Sequence, residues 1–160
     1  MTPIKITLRA ALIAALIVLA APAFAGEREV AFLQSLAGQY RGSGEIRGED
    51  GGPVNCRLTF RPSGQKLNYT GRCSGGGGSQ SFSGSIRYDD ETGRWLSSSR
   101  GRTVAGRKNG SSLSFTVSGN DSRGKITSTM TISPNSAKVS FEATTRRGAR
   151  TSGTIPFRRV

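Results

Sequence analysis

Cys56 and Cys73 are the only two cysteines of this 160-residue chain, and histidine is absent altogether. Without histidine there is no ordinary general base, no common catalytic triad, no usual haem ligand and no typical zinc set. The two cysteines are far apart in sequence and have no further soft ligand near them, so a structural disulfide is their natural chemistry. The carboxylates cluster only at Asp89-Asp90-Glu91, which runs into Thr92-Gly93 and reads as a solvated turn rather than a calcium loop. Gly75-Gly76-Gly77-Gly78 lacks the helix N-terminus that a phosphate-binding loop needs, because a strand pattern follows it, so it reads as a flexible connection near a barrel mouth. Serines are plentiful but have no partner base. The sequence therefore predicts no enzyme, no metal site and no cofactor.

Charge is the other chemical resource. The chain has 23 Lys and Arg against ten Asp and Glu, a net charge of +13. Its start reads as a signal peptide: Lys5 and Arg9, then apolar Ala10–Ala21, then Ala23-Phe24-Ala25 as the small-x-small cleavage pattern before Gly26. The apolar stretch is short for a membrane-spanning helix. Cleavage would leave 26–160 as one domain, periplasmic or secreted, with a net charge of +11. Such a surface attracts anionic lipid, lipopolysaccharide or acidic polysaccharide. It also keeps a small β-protein soluble. The densest runs are Arg146-Arg147-x-x-Arg150 and Arg158-Arg159. Nucleic acid is not the expected partner.

The elements that must position these groups are strands. Val54–Arg61 alternates apolar and polar residues, the period of a half-buried β-strand. The rhythm recurs in 40–47, 66–74, 79–88, 94–99, 102–107, 111–118, 125–133, 137–145 and 150–157, with tight turns between. Gly26–Ala37 carries Val30, Phe32, Leu33 and Leu36 at near-helical spacing and stops at Gly38. Across the turn Pro62-Ser63-Gly64-Gln65, if Phe60 lies opposite Tyr69 then Cys56 lies opposite Cys73, as a cross-strand bridge needs. Asn109-Gly110 as a two-residue loop pairs Gly106 with Leu113 and Val104 with Phe115. Pro134-Asn135 sets Met130 against Val139 and Ile126 against Ala143. The phase of Trp95 and Leu96 stays undecided. The fold class is thus all-β: a single antiparallel up-and-down β-barrel of about 8–10 strands behind a short N-terminal helix, with a sandwich as runner-up. A membrane-embedded barrel fits less well, since aromatics are scarce and the strands short.

The inward phase holds Tyr40, Phe60, Tyr69, Phe82, Tyr88, Phe115 and Phe141, the candidate ligand-lining residues. It also holds Gly42, Gly44, Gly71, Gly84, Gly106, Gly153, Ala137 and Ala143. Small inward residues either leave a cavity or let strands coil sharply, and the second is the commoner case.

Leu36-Ala37-Gly38-Gln39-Tyr40-Arg41-Gly42-Ser43-Gly44 resembles the opening of calycin barrels, both lipocalins and the nitrobindin-type ten-stranded barrels. Gly38 and Tyr40 stand at the family's Gly and Trp positions. The resemblance implies that Arg158 or Arg159 closes over Tyr40. Nitrobindin-type barrels bind haem through histidine, so haem is not implied here. Leu36-Ala37-Gly38-Gln39-Tyr40 with Cys56 and Cys73 also resembles the periplasmic metalloprotease-inhibitor barrels, in which Gly26–Val30 would correspond to the segment entering the protease cleft.

The expected function is non-enzymatic binding of a small apolar or amphipathic ligand. The alternatives are protease inhibition through the N-terminal segment, and attachment to an anionic envelope component through the arginines.

Overall fold

The structure, a computed structural model, describes residues 25–49, 51–75 and 77–160, so the expected signal peptide lies, apart from Ala25, outside the described residues. Helix α1 (Ala25–Ser35) precedes ten strands: β1 (Gly38–Arg47), β2 (Gly52–Ser63), β3 (Lys66–Gly75), β4 (Gly78–Asp89), β5 (Arg94–Ser99), β6 (Arg102–Asn109), β7 (Ser112–Asp121), β8 (Gly124–Ser133), β9 (Ser136–Thr145) and β10 (Arg150–Arg159). Each strand pairs antiparallel with the next, and β10 pairs with β1, so the sheet closes on itself as an up-and-down barrel. The apolar phase points inward: Leu58, Leu67, Ile86, Leu113 and Ile132 are fully buried. The outer face carries polar and charged side chains instead of the apolar band of a membrane barrel.

Registers follow from the turns. Phe60 faces Tyr69, Cys56 faces Cys73, Met130 faces Val139 and Ile126 faces Ala143, all as the alternation predicts. The β6–β7 hairpin differs. Asn109 pairs with Ser112, so the two loop residues are Gly110-Ser111, and Gly106 meets Phe115 while Lys108 meets Leu113. Gly110 takes φ +56°, which opens the loop one residue later than an Asn-Gly loop would. The shift changes both partners by an even count, so the inward phase survives. Trp95 is the inward member of its pair, buried opposite Tyr88 and Gly106.

Helix α1 closes one end. Leu33 and Leu36 are buried against the barrel, and Phe32 meets Trp95 edge-on at 5.4 Å. The Lys108 ammonium sits 4.7 Å above the Phe32 ring. Tyr40, 1% exposed, donates its hydroxyl to the Leu36 carbonyl at 2.9 Å, with the Pro134 carbonyl at 3.1 Å as a second acceptor within reach. Arg159, directly opposite Tyr40 across β1–β10, donates to the carbonyls of Ser35 (3.2 Å), Pro134 (3.0 Å) and Ala37. Arg159, not Arg158, therefore closes over Tyr40, and helix, first strand and last strand are tied at one point.

The Cys56–Cys73 disulfide joins β2 to β3, with the Cα atoms 4.1 Å apart. It closes a loop with sequence separation 17. In the chain-entropy model such a loop contributes about 3 kcal/mol. Urea denaturation of Cys56→Ala/Cys73→Ala is expected to show that loss, and a reductant should change the parent but not the variant. Burial raises the Tyr40 pKa above its ordinary 10.0, opposed by the Arg159 charge. Above pH 10 the unfolded chain then releases a proton that the folded one keeps, so stability falls as pH rises through the folded value. Tyr40→Phe is expected to remove that alkaline slope and to cost about 1 kcal/mol at neutral pH.

Candidate functional site

Five of the inward glycines are covered by the rings beside them, while Gly44 abuts the Thr154 carbonyl and Ile155. A Cβ on Gly42 would lie 2.8 Å from the Phe157 ring, and one on Gly153 2.8 Å from Phe141. At Gly71 the obstacle is Phe82, at Gly84 it is Tyr69, and at Gly106 it is Phe115. In all five cases the ring belongs to the residue directly opposite on the next strand. Each aromatic therefore reaches across a neighbour that has no side chain. The glycines leave no row of holes; they are the seats of the rings.

The seven candidate lining residues divide accordingly. Tyr40, Phe60, Tyr69 and Phe115 are buried in the core, with Tyr40–Phe60 at 5.5 Å edge-on and Phe60–Tyr69 at 6.1 Å. Tyr88 is half-buried at the helix end beside Trp95, 5.0 Å away. Phe82 and Phe141 are half-buried toward the opposite end. The helix end is thus a packed core, and the seven rings do not converge on one site.

The other end is different. Pairing between β6 and β7 covers only Gly106–Asn109 with Ser112–Phe115, although both strands run on past it. Beyond that point Val117 and Ile126 are 37% and 47% exposed, yet they share the phase of buried Leu113, Phe115 and Ile132. Inward-phase apolar groups in contact with water mark a barrel mouth. Arg102, on the inward phase of β6, places its Nη1 against Gly119 of β7, 3.1 Å from where a Cβ would be. A cation thus stands among the apolar groups of the opening. The glycine run lies at this end too, with Gly75 paired to Gly78 across the tight β3–β4 turn.

Outside, the registers assemble a second chemical feature. Arg158 faces Arg41, Arg41 faces Arg57, Arg57 faces Arg72, and Arg72 faces Ser81. Four exposed arginines on four adjacent strands form one row, and none is paired with a carboxylate among the described residues. Like charges set directly opposite one another destabilise a sheet by roughly 0.2–1 kcal/mol per pair. The row runs into a groove of about 470 Å³ on the outer face of β2–β4, where Arg57 and Arg72 are joined by Arg100 and by the hydroxyls of Thr59, Thr70 and Ser83. Arg100 donates to the Ser81 carbonyl (3.4 Å), and Arg72 Nε donates to Ser79 Oγ (2.9 Å). A second groove, about 490 Å³ on the outer face of β8–β10 and β1, mixes Glu45, Arg47 and Glu142 with hydroxyls and has no single sign.

Neither Arg146-Arg147 nor Arg158-Arg159 is the densest charge in space, as their adjacency in sequence suggested. The row of Arg41, Arg57, Arg72 and Arg158 is the feature that sequence reasoning missed. Its signal was present, since the count that sets Cys56 opposite Cys73 also sets Arg57 opposite Arg72. Asp89 serves its turn: it accepts from the Thr92 N–H (3.4 Å) and faces Arg87 at 3.4 Å. Gly26–Val30 lies inside α1, which packs on β2, β3 and β4.

No protein-family model and no curated protein sequence matches the chain. Solved structures do. Rv2717c from M. tuberculosis superposes with a TM-score of 0.57 at 12% identity, over 82% of this chain and 96% of that one. The S-type phycobiliprotein lyase CPES from Guillardia theta gives 0.55 at 13% identity, over 81% of this chain and 91% of that one. The likeness is one of fold alone.

Ring-on-glycine packing predicts a coupled pair. Gly106→Ala should cost about 1–3 kcal/mol by overpacking against Phe115. In thermal denaturation Gly106→Ala/Phe115→Leu should lose less than the sum of the two single variants. Strictly additive losses would show that the ring does not rest on the glycine.

Proposed function

We propose that this protein is an exported, non-enzymatic binding barrel that takes a small amphipathic anion at its open end. The carrying observation is the exposure of inward-phase Val117 and Ile126 where β6 and β7 part company. Such a site offers an apolar wall for a tail and a guanidinium, Arg102, for an anionic head at the rim. The opposite end is filled by α1 and the aromatic core, so the ligand has one entrance. The fold likeness supports a binding role at the level of architecture, since one similar barrel is a phycobiliprotein lyase. Export rests on the reading of residues 1–25 as a signal peptide, and the Cys56–Cys73 disulfide fits an extracytoplasmic setting.

Titration with dodecanoate and dodecanol, read by displacement of a fluorescent fatty-acid probe, tests this reading. The parent should prefer the carboxylate. Arg102→Gln should weaken dodecanoate about tenfold, the loss of one charge-assisted hydrogen bond, and leave dodecanol unchanged. Ile126→Asp should weaken both. No saturable binding of either compound, together with a bare-chain mass in native mass spectrometry of protein taken from its own envelope fraction, would sink the proposal.

A further inference from the structure

The outer row of arginines is built independently of the barrel mouth, and its chemistry is different. A cross-strand row of like charges costs stability unless something opposes it, and Arg41, Arg57, Arg72 and Arg158 have no carboxylate partner among the described residues. The row is linear. Adjacent strands stand about 4.8 Å apart, so it extends roughly 14 Å from Arg158 to Arg72 and presents one guanidinium per strand. It ends in the groove where Arg100 adds a further cation and the hydroxyls of Thr59, Thr70, Ser81 and Ser83 line the walls. Guanidinium groups bind carboxylate and phosphoryl oxygens through paired N–H donors, and hydroxyls supply neutral hydrogen bonds beside them.

The surroundings decide between classes of polyanion. The flanking rows across β2–β4 are Thr59-Thr70-Ser83 on one side and Asn55-Ser74-Ser79 on the other; Phe82 borders the groove, but its ring lies over Gly71 on the inward phase and offers no outer stacking face. Single-stranded nucleic acid is held by stacking its bases on aromatic platforms, and this face has none. Amphipathic surfaces that settle on a bilayer bury several apolar groups beside their cations, and among the described residues this face offers only Val160, at the Arg158 end of the row. A hydrated chain carrying one negative charge per unit needs neither. The strand spacing is a step of the order of one sugar residue along an extended polysaccharide.

We propose that the Arg158-Arg41-Arg57-Arg72 row and the Arg100 groove form a binding track for a linear acidic polysaccharide. The track crosses the strands, lies wholly on the outer wall, and engages a few consecutive acidic sugars at once.

Isothermal titration of the oxidised protein with polygalacturonate, and with galacturonate oligomers of graded length, tests the track. Affinity should rise with oligomer length to about four units and then level off, since about four strands carry the row. Binding should weaken at least tenfold between 50 and 200 mM NaCl. Arg57→Gln/Arg72→Gln should lose at least tenfold in affinity. Arg146→Gln/Arg147→Gln, which removes the same charge from the β9–β10 turn, should change it less than twofold. Without polymer the Arg57→Gln/Arg72→Gln variant should melt above the parent, and polygalacturonate should raise the melting temperature of the parent alone. Equal losses in the two double variants would reduce the effect to net charge and overturn the proposal. Tighter binding to phosphatidylglycerol vesicles or to an oligothymidylate than to polygalacturonate would overturn it as well. Arg102→Gln should leave polygalacturonate binding intact, which separates this track from the ligand site at the mouth.

Discussion

The seating of each inward ring on a glycine of the adjacent strand is the constraint on which this barrel depends. A narrow barrel cannot hold five large rings projecting straight at its axis. Laid sideways over Gly42, Gly71, Gly84, Gly106 and Gly153, they fit. The arrangement gives sheet closure and core filling a single cause, because the bare backbone that receives a ring is also the backbone that coils most readily. It requires the strand registers to be correct to the residue, since a ring moved along by one pair meets a side chain instead of a seat.

Register in turn connects the inside of the molecule to its outside. The β2–β3 pairing that joins Cys56 to Cys73 inward sets Arg57 against Arg72 outward. The β1–β10 pairing that lays Phe157 on Gly42 also sets Arg158 against Arg41. The alignment of the arginines is therefore set by the core registers. The disulfide adds a covalent tie at the centre of that arrangement. A surface held so firmly can keep repelling charges aligned.

Much of this was legible in the chain. Alternation located all ten strands, because a strand with one wet face has a period that no helix shares. The short Pro134-Asn135 turn fixed the β8–β9 register, and the need to pair Cys56 with Cys73 selected that of β2–β3. Where two turn solutions differed by one residue, at Asn109-Gly110-Ser111, the sequence pointed to the wrong one, and only the seat offered by Gly106 to Phe115 distinguishes them. The inward glycines were recognised, but their partners lie across strands, so single-strand periodicity could not say what occupied them. The open mouth was not legible for a similar reason. Val117 and Ile126 look like any core residue until the β6–β7 ladder is seen to stop. The arginine row was hidden because its members are spread from residue 41 to 158, and adjacency along the chain drew attention to other clusters.

The seam between the first and last strands sets the order in which the molecule can assemble. Nine of the ten strand pairings join neighbours in sequence through short turns and can form one hairpin at a time. The tenth, β1 with β10, brings together segments more than a hundred residues apart, and closing a loop of that length costs about 4 kcal/mol in chain entropy. The Tyr40 and Arg159 contacts with the α1 end lie at that seam. The Tyr40–Leu36 bond is local, but the Arg159 bonds to Ser35 and Ala37 form only once the whole meander has curled round to meet its own beginning. Folding is then a slow ring closure completed by β10, and a chain cut just before Arg159 loses the fastening that makes the sheet a barrel.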